Sequence, residues 1–363
     1  SNLAYASIEP NQNELAGDQR KIIFEKEKFT EGPIVLAFAE FQAFDFSLNY
    51  YLENQQDIPV LMEIPVPPET NYQEVFFSVI QPQPDEIKID DNGNWLAQYV
   101  LNTKQSLNII VEGQAKVFSQ PLNKKFYNQV DKLPLFLQET NFWPINNPQI
   151  KNIAQQQKTV KNIYRFVITT LNYDYQKANT FPQRIGADRA LATPDQAVCS
   201  EFTDLFVALA RGTGIPAREI EGYAYTNNPK IKPVGNNILH AWPEYWDQTK
   251  QIWVQIDPTW EKTTGGVDYF SNLDLNHFTL VIHGTNDDYP PPPGSYLAED
   301  AQPKINIKFA DNILAPQTID PNFKIDHYPI FYKTTPLTKR LGKIQFDIHN
   351  QTTSTFKNLK ISL

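Results

Sequence analysis

Apolar and polar positions alternate through the first 140 residues. Phe44, Phe46, Leu48, Tyr50 and Leu52 are interleaved with Asp45, Ser47, Asn49 and Tyr51, and Leu107, Ile109, Val111, Gly113, Ala115 and Val117 recur at the same period of two. That spacing turns one face of a strand to a core and the other to solvent. Asn92-Gly93, between Ile89 and Trp95, supplies a hairpin turn. Pro59, Pro65, Pro67, Pro68, Pro82 and Pro84 fall at ends of runs, where loops and edge strands accommodate a residue without an N–H. Residues 1–140 are expected to form an N-terminal β-sandwich domain.

From 141 the period changes. Between Lys158 and Leu171, the residues Val160, Ile163, Tyr164, Val167, Ile168 and Leu171 recur at spacings of three and four, which predicts a helix with one buried stripe. After a loop from Asn172 to Pro194, a second helix is predicted from near Cys199 to Arg211. Gly212 and Gly214 end it before Pro216. Strands follow at Glu219–Tyr225, His240–Trp246 and Ile252–Asp257. The run Tyr289-Pro290-Pro291-Pro292-Pro293-Gly294 reads as a stiff linker, and Ile305/Ile307/Phe309, Ile344/Phe346/Ile348 and Leu359/Ile361/Leu363 return to alternation. The expected organisation is a β domain over 1–140, an α+β core over 141–289, and a proline linker with a C-terminal β region over 290–363. Alternation running into Leu363, and Met62 as the sole methionine, give the expectation of a processed chain cut in or just after a third β domain.

Composition narrows the possible functions. The net charge of −9 comes with no Lys/Arg cluster, which argues against a nucleic-acid partner. No apolar run approaches the ~18 residues needed to cross a bilayer. A single cysteine, Cys199, excludes an intrachain disulfide and a Cys-based metal cage. No cofactor and no metal is expected. A lone thiol on an apolar helix face is commonly a small buried filler; the alternative is a nucleophile.

The company Cys199 keeps favours the nucleophile. An ordinary thiol is mostly protonated at neutral pH, whereas the positive end of a helix dipole and a nearby imidazolium favour the thiolate. Free N–H groups at the same helix mouth can hold an oxyanion. His240, in His240-Ala241-Trp242, and Asp257, in Asp257-Pro258-Thr259, lie on two segments predicted to form a hairpin. A turn symmetric about Gln248/Thr249 would set the two opposite each other, with the carboxylate fixing the imidazole's tautomer.

These blocks also carry a family resemblance. Val198-Cys199-Ser200-Glu201-Phe202, the run Phe206 to Arg218, Glu221-Gly222-Tyr223, His240-Ala241-Trp242 and Asp257-Pro258-Thr259 resemble, in order and spacing, the core of the transglutaminase-like superfamily, over about 145 to 283. The resemblance implies an α+β, papain-like core with a catalytic Cys-His-Asp triad carried onto Cys199, His240 and Asp257. It leaves a second oxyanion donor unassigned, with Gln196 near in sequence; Ala197 stands where many members have glycine, and Pro243 interrupts the histidine strand. The implied activity is acyl transfer on a protein or peptide substrate through a thioester, with water or an amine as acceptor, in an extracytoplasmic or secreted setting. The other reading is a non-catalytic envelope or adhesion module that uses the core as a scaffold. Trp242, Trp246, Trp253 and Trp260 are expected mostly in the core, Arg211 and Arg218 in structural pairings, and Asp268, Asp274 and His277 in a structural loop.

Overall fold

A computed structural model describes residues 7–9, 21–23, 40–122, 130–180, 183–225, 239–271, 273–298, 305–311, 323–327 and 346–350. After a short antiparallel pair, β1 (Ser7–Glu9) with β2 (Lys21–Ile23), the alternating segments become β3 (Phe41–Glu53), β4 (Val60–Val66), β5 (Gln73–Gln81), β6 (Glu86–Ile89), β7 (Trp95–Leu101) and β8 (Ser106–Phe118). β3 pairs with β8 from Phe41↔Phe118 to Glu53↔Ser106. The register puts Phe44, Phe46, Leu48 and Tyr50 on one face, and all four are buried. That face meets Ile64, Val66, Tyr99 and Leu101 of the sheet β4-β7-β6 in one hydrophobic cluster. The Asn92-Gly93 turn forms as read: Asp90 Oδ1 accepts the N–H of Asn92 and of Asn94, both at 2.8 Å, and Gly93 takes φ 94°, a conformation that glycine adopts without strain.

The helical layer comprises α1 (Pro148–Gln157), α2 (Val160–Thr170), α3 (Ala187–Ala192), α4 (Cys199–Gly212) and α5 (Pro258–Thr263). In α2 the stripe Ile163, Tyr164 and Val167 is buried, as its spacing requires. Helix α4 is enclosed nearly all round, every residue from Glu201 to Arg211 being buried. It packs on a sheet ordered β11 (Ile252–Gln255), β10 (Leu239–Asp247), β9 (Ala217–Ala224), β12 (His277–His283). This is a mixed, mainly antiparallel α+β arrangement with the helix mouth at one end of the sheet.

The alternation at Ile305, Ile307 and Phe309 lies beyond the prolines, yet it forms β13 (Ile305–Phe309), which pairs with the outer edge of β3, Ile305↔Leu48 to Phe309↔Phe44. An unpaired β3 edge would expose a row of backbone groups, and Ile305 and Ile307 bring their side chains into the same cluster. The chain divides into compact units at Ser1–Ala310 and Asp311–Leu363, so the first runs past the boundary read at 289/290. The second is described through an antiparallel pair, β14 (Phe323–His327) with β15 (Phe346–Asn350). The Leu359/Ile361/Leu363 alternation lies outside the described residues. Among the described residues no helix is long and apolar enough to cross a membrane.

Two side-chain amides join the N-terminal sheets to the core sheet. Gln73 Oε1 accepts Thr279 N–H (2.8 Å) while its Nε2 donates to Thr279 C=O (3.0 Å). Asn94 does the same for Ile282, at 2.7 Å in both directions. Each amide stands in for a missing strand along β12 and satisfies backbone groups that are costly to bury unpaired. Gln73→Met is therefore expected to destabilise the fold by about 2–3 kcal/mol, read as a lower denaturant midpoint at unchanged slope; an unchanged midpoint would show that water replaces the amide.

Candidate active site

The start of α4 is fixed from several directions. Valine at the N-cap, Val198, has no side-chain acceptor, so its backbone carbonyl takes the Glu201 N–H (3.1 Å). The buried Glu201 carboxylate folds back on Val198 N–H (2.8 Å) and also accepts from Ile185 N (3.2 Å) and Lys177 Nζ (3.2 Å). The preceding strand-like segment is held by Asn172 N to Pro194 O (2.9 Å) and Asp174 N to Ala197 O (2.8 Å). Cys199 is thereby set at the first helical position, half-buried, where the N–H groups of Cys199 and Ser200 have no preceding helical turn to satisfy them. Gln196 is exposed and its carbonyl accepts from Lys177 (2.8 Å).

His240 lies on β10 opposite Gly222. A Cβ at Gly222 would sit 2.2 Å from the Phe278 carbonyl oxygen and 2.5 Å from the Trp242 ring, so only glycine lets β12 and Trp242 approach here. The imidazole is 6% exposed and packs between Trp242 (centroids 5.8 Å, interplanar 25°) and Trp260 (5.5 Å, 32°). All four tryptophans of this region are buried.

Asp257 meets His240 by a route different from the predicted one. The ladder runs Glu244↔Gln255, Tyr245↔Val254, Trp246↔Trp253 and Asp247↔Ile252, two residues out from a register pairing 240 with 257. Asp247 sets this longer loop, its Oδ1 accepting the N–H of Thr249 and Lys250 (2.9 Å each), with Gln251 at φ 53°. β11 ends at Gln255, Ile256 N–H bonds Pro243 C=O (3.1 Å), and the chain turns into α5 with Asp257 as its N-cap. Asp257 Oδ1 accepts Trp260 N–H (2.9 Å), leaving Oδ2 to face His240 Nε2 at 2.7 Å. Tyr164 O–H, from α2, holds the Asp257 carbonyl (3.0 Å) and Glu261 (2.7 Å). Asp-Pro-Thr is thus a helix start as much as a carboxylate in reach of an imidazole.

Cys199, at the mouth of α4, lies near enough to His240 to act on its charge. Burial alone would lower the imidazole, but Asp257 and Cys199 outweigh it and raise it from 6.5 to about 9. Burial alone would also push the Asp257 carboxyl up; His240 and His277 reverse this and hold it at about 2. The structure thus brings together all three residues singled out in the sequence.

Sequence reading missed His277. It begins β12 fully enclosed, with Nε2 3.0 Å from Asp257 Oδ2 and Nδ1 2.7 Å from Asp274 Oδ1, so Asp274 and His277 contact the site rather than form a separate loop. The one signal available was an acid three residues before a histidine, which is weak. Arg211 donates to the carbonyls of Ala217, Gln138 and Gly284 (2.7–2.9 Å) and Arg218 pairs with Glu244, the structural roles expected of them.

Among the described residues, two groups have side chains of the kind that hold a cation: His240, Asp257 and His277, and Glu219, Glu221 and His283. In the first, 2.7 Å between nitrogen and oxygen is the length of a direct charge-assisted hydrogen bond. A cation bonded to both at about 2.1 Å would hold them about 3.4 Å apart. In the second, Arg184 Nη2 lies 2.9 Å from Glu219 Oε2, and both His283 nitrogens face oxygens, of Glu219 (3.1 Å) and Pro290 (2.9 Å). That arrangement is an ion-pair network. A cavity of about 220 Å³ opens at the Arg218–Glu244 end of the sheet, between Trp95 and Trp253, and Cys199 is not among its lining.

Residues 145–258 match the transglutaminase-like superfamily, so the resemblance read from the sequence holds for this segment. A solved candidate cysteine protease from Cytophaga hutchinsonii is similar in fold, with a TM-score of 0.50 over 77% of this chain and 94% of that one at 16% identity. The periplasmic domain of TgpA from Pseudomonas aeruginosa aligns over 62% of this chain and 89% of its own at 15% identity and a TM-score of 0.31. YebA of Bacillus subtilis, an uncharacterized protein, is 35% identical over 79 residues, 20% of this chain and 11% of that protein's length.

The charges make a stability prediction. His240, His277 and His283 are each raised from 6.5 to about 9, burial being opposed and exceeded by their carboxylate partners. Their contribution is complete below about pH 6.5 and is lost as pH rises through about 9; that of Asp257, depressed from 3.8, is complete above pH 3.8 and is lost as pH falls through about 2. The thermal midpoint should fall between pH 6.5 and 9. A level or rising midpoint across that window would contradict imidazolium pairing.

Proposed function

We propose that the protein is a thiol acyltransferase in which Cys199 attacks the carbonyl of a peptide or carboxamide, His240 moves the proton and Asp257 orients His240. The carrying observation is His240 Nε2 at 2.7 Å from Asp257 Oδ2, with Cys199 opening α4 close enough to act on the His240 charge. The sulfur adds to the carbonyl carbon, and the first-turn N–H groups receive the developing oxyanion. Collapse of the intermediate breaks the carbon–nitrogen bond, and the Nδ1 proton of His240 passes to the departing amine, leaving a thioester. The acceptor, deprotonated by the now neutral imidazole, displaces the sulfur and restores the thiolate–imidazolium pair. Burial between two indoles keeps His240 in one rotamer through both steps, which limits the reorganisation each one needs.

Water as acceptor gives a peptidase or amidase; a lysine-type amine gives a crosslinked product. Hydrolysis is the reading we favour, because aminolysis requires excluding water from the thioester. Work outside the cytoplasm belongs to the same reading, supported by the β-rich flank and a single cysteine.

Intact-mass analysis with a panel of glutamine and lysine peptides distinguishes the acceptors: loss of ammonia, gain of an amine or cleavage each leaves its own mass. Turnover is expected to drop on the order of 10³-fold or more in Cys199→Ala. A Cys199→Ala protein as active as the parent would return the core to the role of scaffold for a binding module.

A further inference from the structure

The triad carboxylate serves two imidazoles. Asp257 Oδ2 lies 2.7 Å from His240 Nε2 and 3.0 Å from His277 Nε2, and His277 Nδ1 lies 2.7 Å from Asp274 Oδ1. Both nitrogens of His277 therefore face carboxylate oxygens. A neutral ring would turn a lone pair toward one of them; a ring protonated at both nitrogens donates to each. His277 has no water to turn to, being 2% exposed and boxed by Trp260 (4.6 Å between centroids), Trp242 (4.9 Å) and Tyr269 (6.2 Å). The titratable groups around it are Asp257 at the α5 N-cap, His240 on β10 at 5.8 Å between ring centroids, Asp274 in its own approach loop and Tyr269, whose O–H donates to Asp274 Oδ2 (3.3 Å).

We propose that His277, held as an imidazolium between Asp257 and Asp274, is a positioning residue that limits the negative charge Asp257 offers to His240. A carboxylate in so dry a setting, serving one imidazole alone, would hold the proton of His240 tightly, and a proton held too tightly is given up slowly to a leaving amine. A second cation on the same oxygen draws off part of that charge and repels the first. Asp274 supplies the countercharge that lets the second cation stay buried. The outcome is a line, Cys199, His240, Asp257, His277, Asp274, in which thiolate, imidazolium and carboxylate alternate in sign.

This inference rests on the reading of Cys199 and His240 as a working pair. The test is the pH profile of Cys199 alkylation by iodoacetate, an anion drawn to the site while His240 keeps its proton. In the parent, the alkaline limb is expected near the titration of His240, at about pH 9. His277→Gln keeps a donor for Asp257 but removes the charge, and should move that limb up by about one pH unit; a purely structural role would leave it in place, and an unmoved limb in a folded variant overturns the proposal. Should the variant fail to fold, histidine ¹⁵N shifts of the parent at neutral pH decide the matter. Two protonated nitrogens on His277 support the proposal and a neutral ring overturns it. A parent whose Cys199 shows no pH-dependent alkylation instead defeats the underlying reading, an outcome distinct from either.

Discussion

The hydrogen bond from His240 Nε2 to Asp257 Oδ2 organises the site because Asp257 is committed twice. One of its oxygens starts α5 by capping Trp260 N–H, and the other accepts from the imidazole of His240 and fixes its orientation. A carboxylate capping a helix contributes about 1 kcal/mol, so the geometry needed for chemistry is also locally favourable to folding. Pro258 at the first helical position and the Tyr164 hydroxyl on the Asp257 carbonyl hold the turn where β11 has already ended. Chain segments far apart in sequence are brought to one point by a turn that ordinary helix-start preferences specify.

Burial sets the strength of these contacts. Removing an ion from water costs several kcal/mol, and at an effective dielectric of about 20 two opposite charges ~4 Å apart recover only about 4 kcal/mol. A single pair is close to balance. The site does better by sharing, since Asp257 is approached by two imidazoles and a backbone N–H. The same logic governs Arg184, held by Asp204 and Glu219, and Arg218, whose guanidinium lies 4.0 Å over Trp253 while it pairs with Glu244. The interface between the core sheet and the N-terminal sheets joins both kinds of contact: Phe278 packs on Phe44 and Phe46, and the Gln73 and Asn94 amides bond the edge of β12.

Much of this was legible in the sequence where one physical signal dominated. The stripe of α2, the glycine stop of α4 and the alternation of β3 and β8 followed from periodicity and capping, while the Cys199, His240 and Asp257 blocks were picked out by their chemistry together with the family resemblance. The hairpin register did not, because Asp247 accepts two loop N–H groups and lengthens the turn. The register stands two residues from the predicted one, and Asp257 reaches His240 from the N-cap of α5 instead of across the ladder. Helix α1 went unread since its apolar content is little more than Ile150, Ile153 and Ala154, although Asn147-Pro148 is a helix start. The place of β13 depended on a vacant strand edge some 250 residues earlier, and His277 on the path of a loop; neither leaves a local trace.

Activation of Cys199 by His240 is tested most directly by the rate of Cys199 alkylation by iodoacetamide at about pH 6, in the parent and in His240→Ala. Rapid alkylation in the parent, slowed at least tenfold by the substitution, is the predicted result. An inert thiol in the parent, or an equal rate in both proteins, would contradict it.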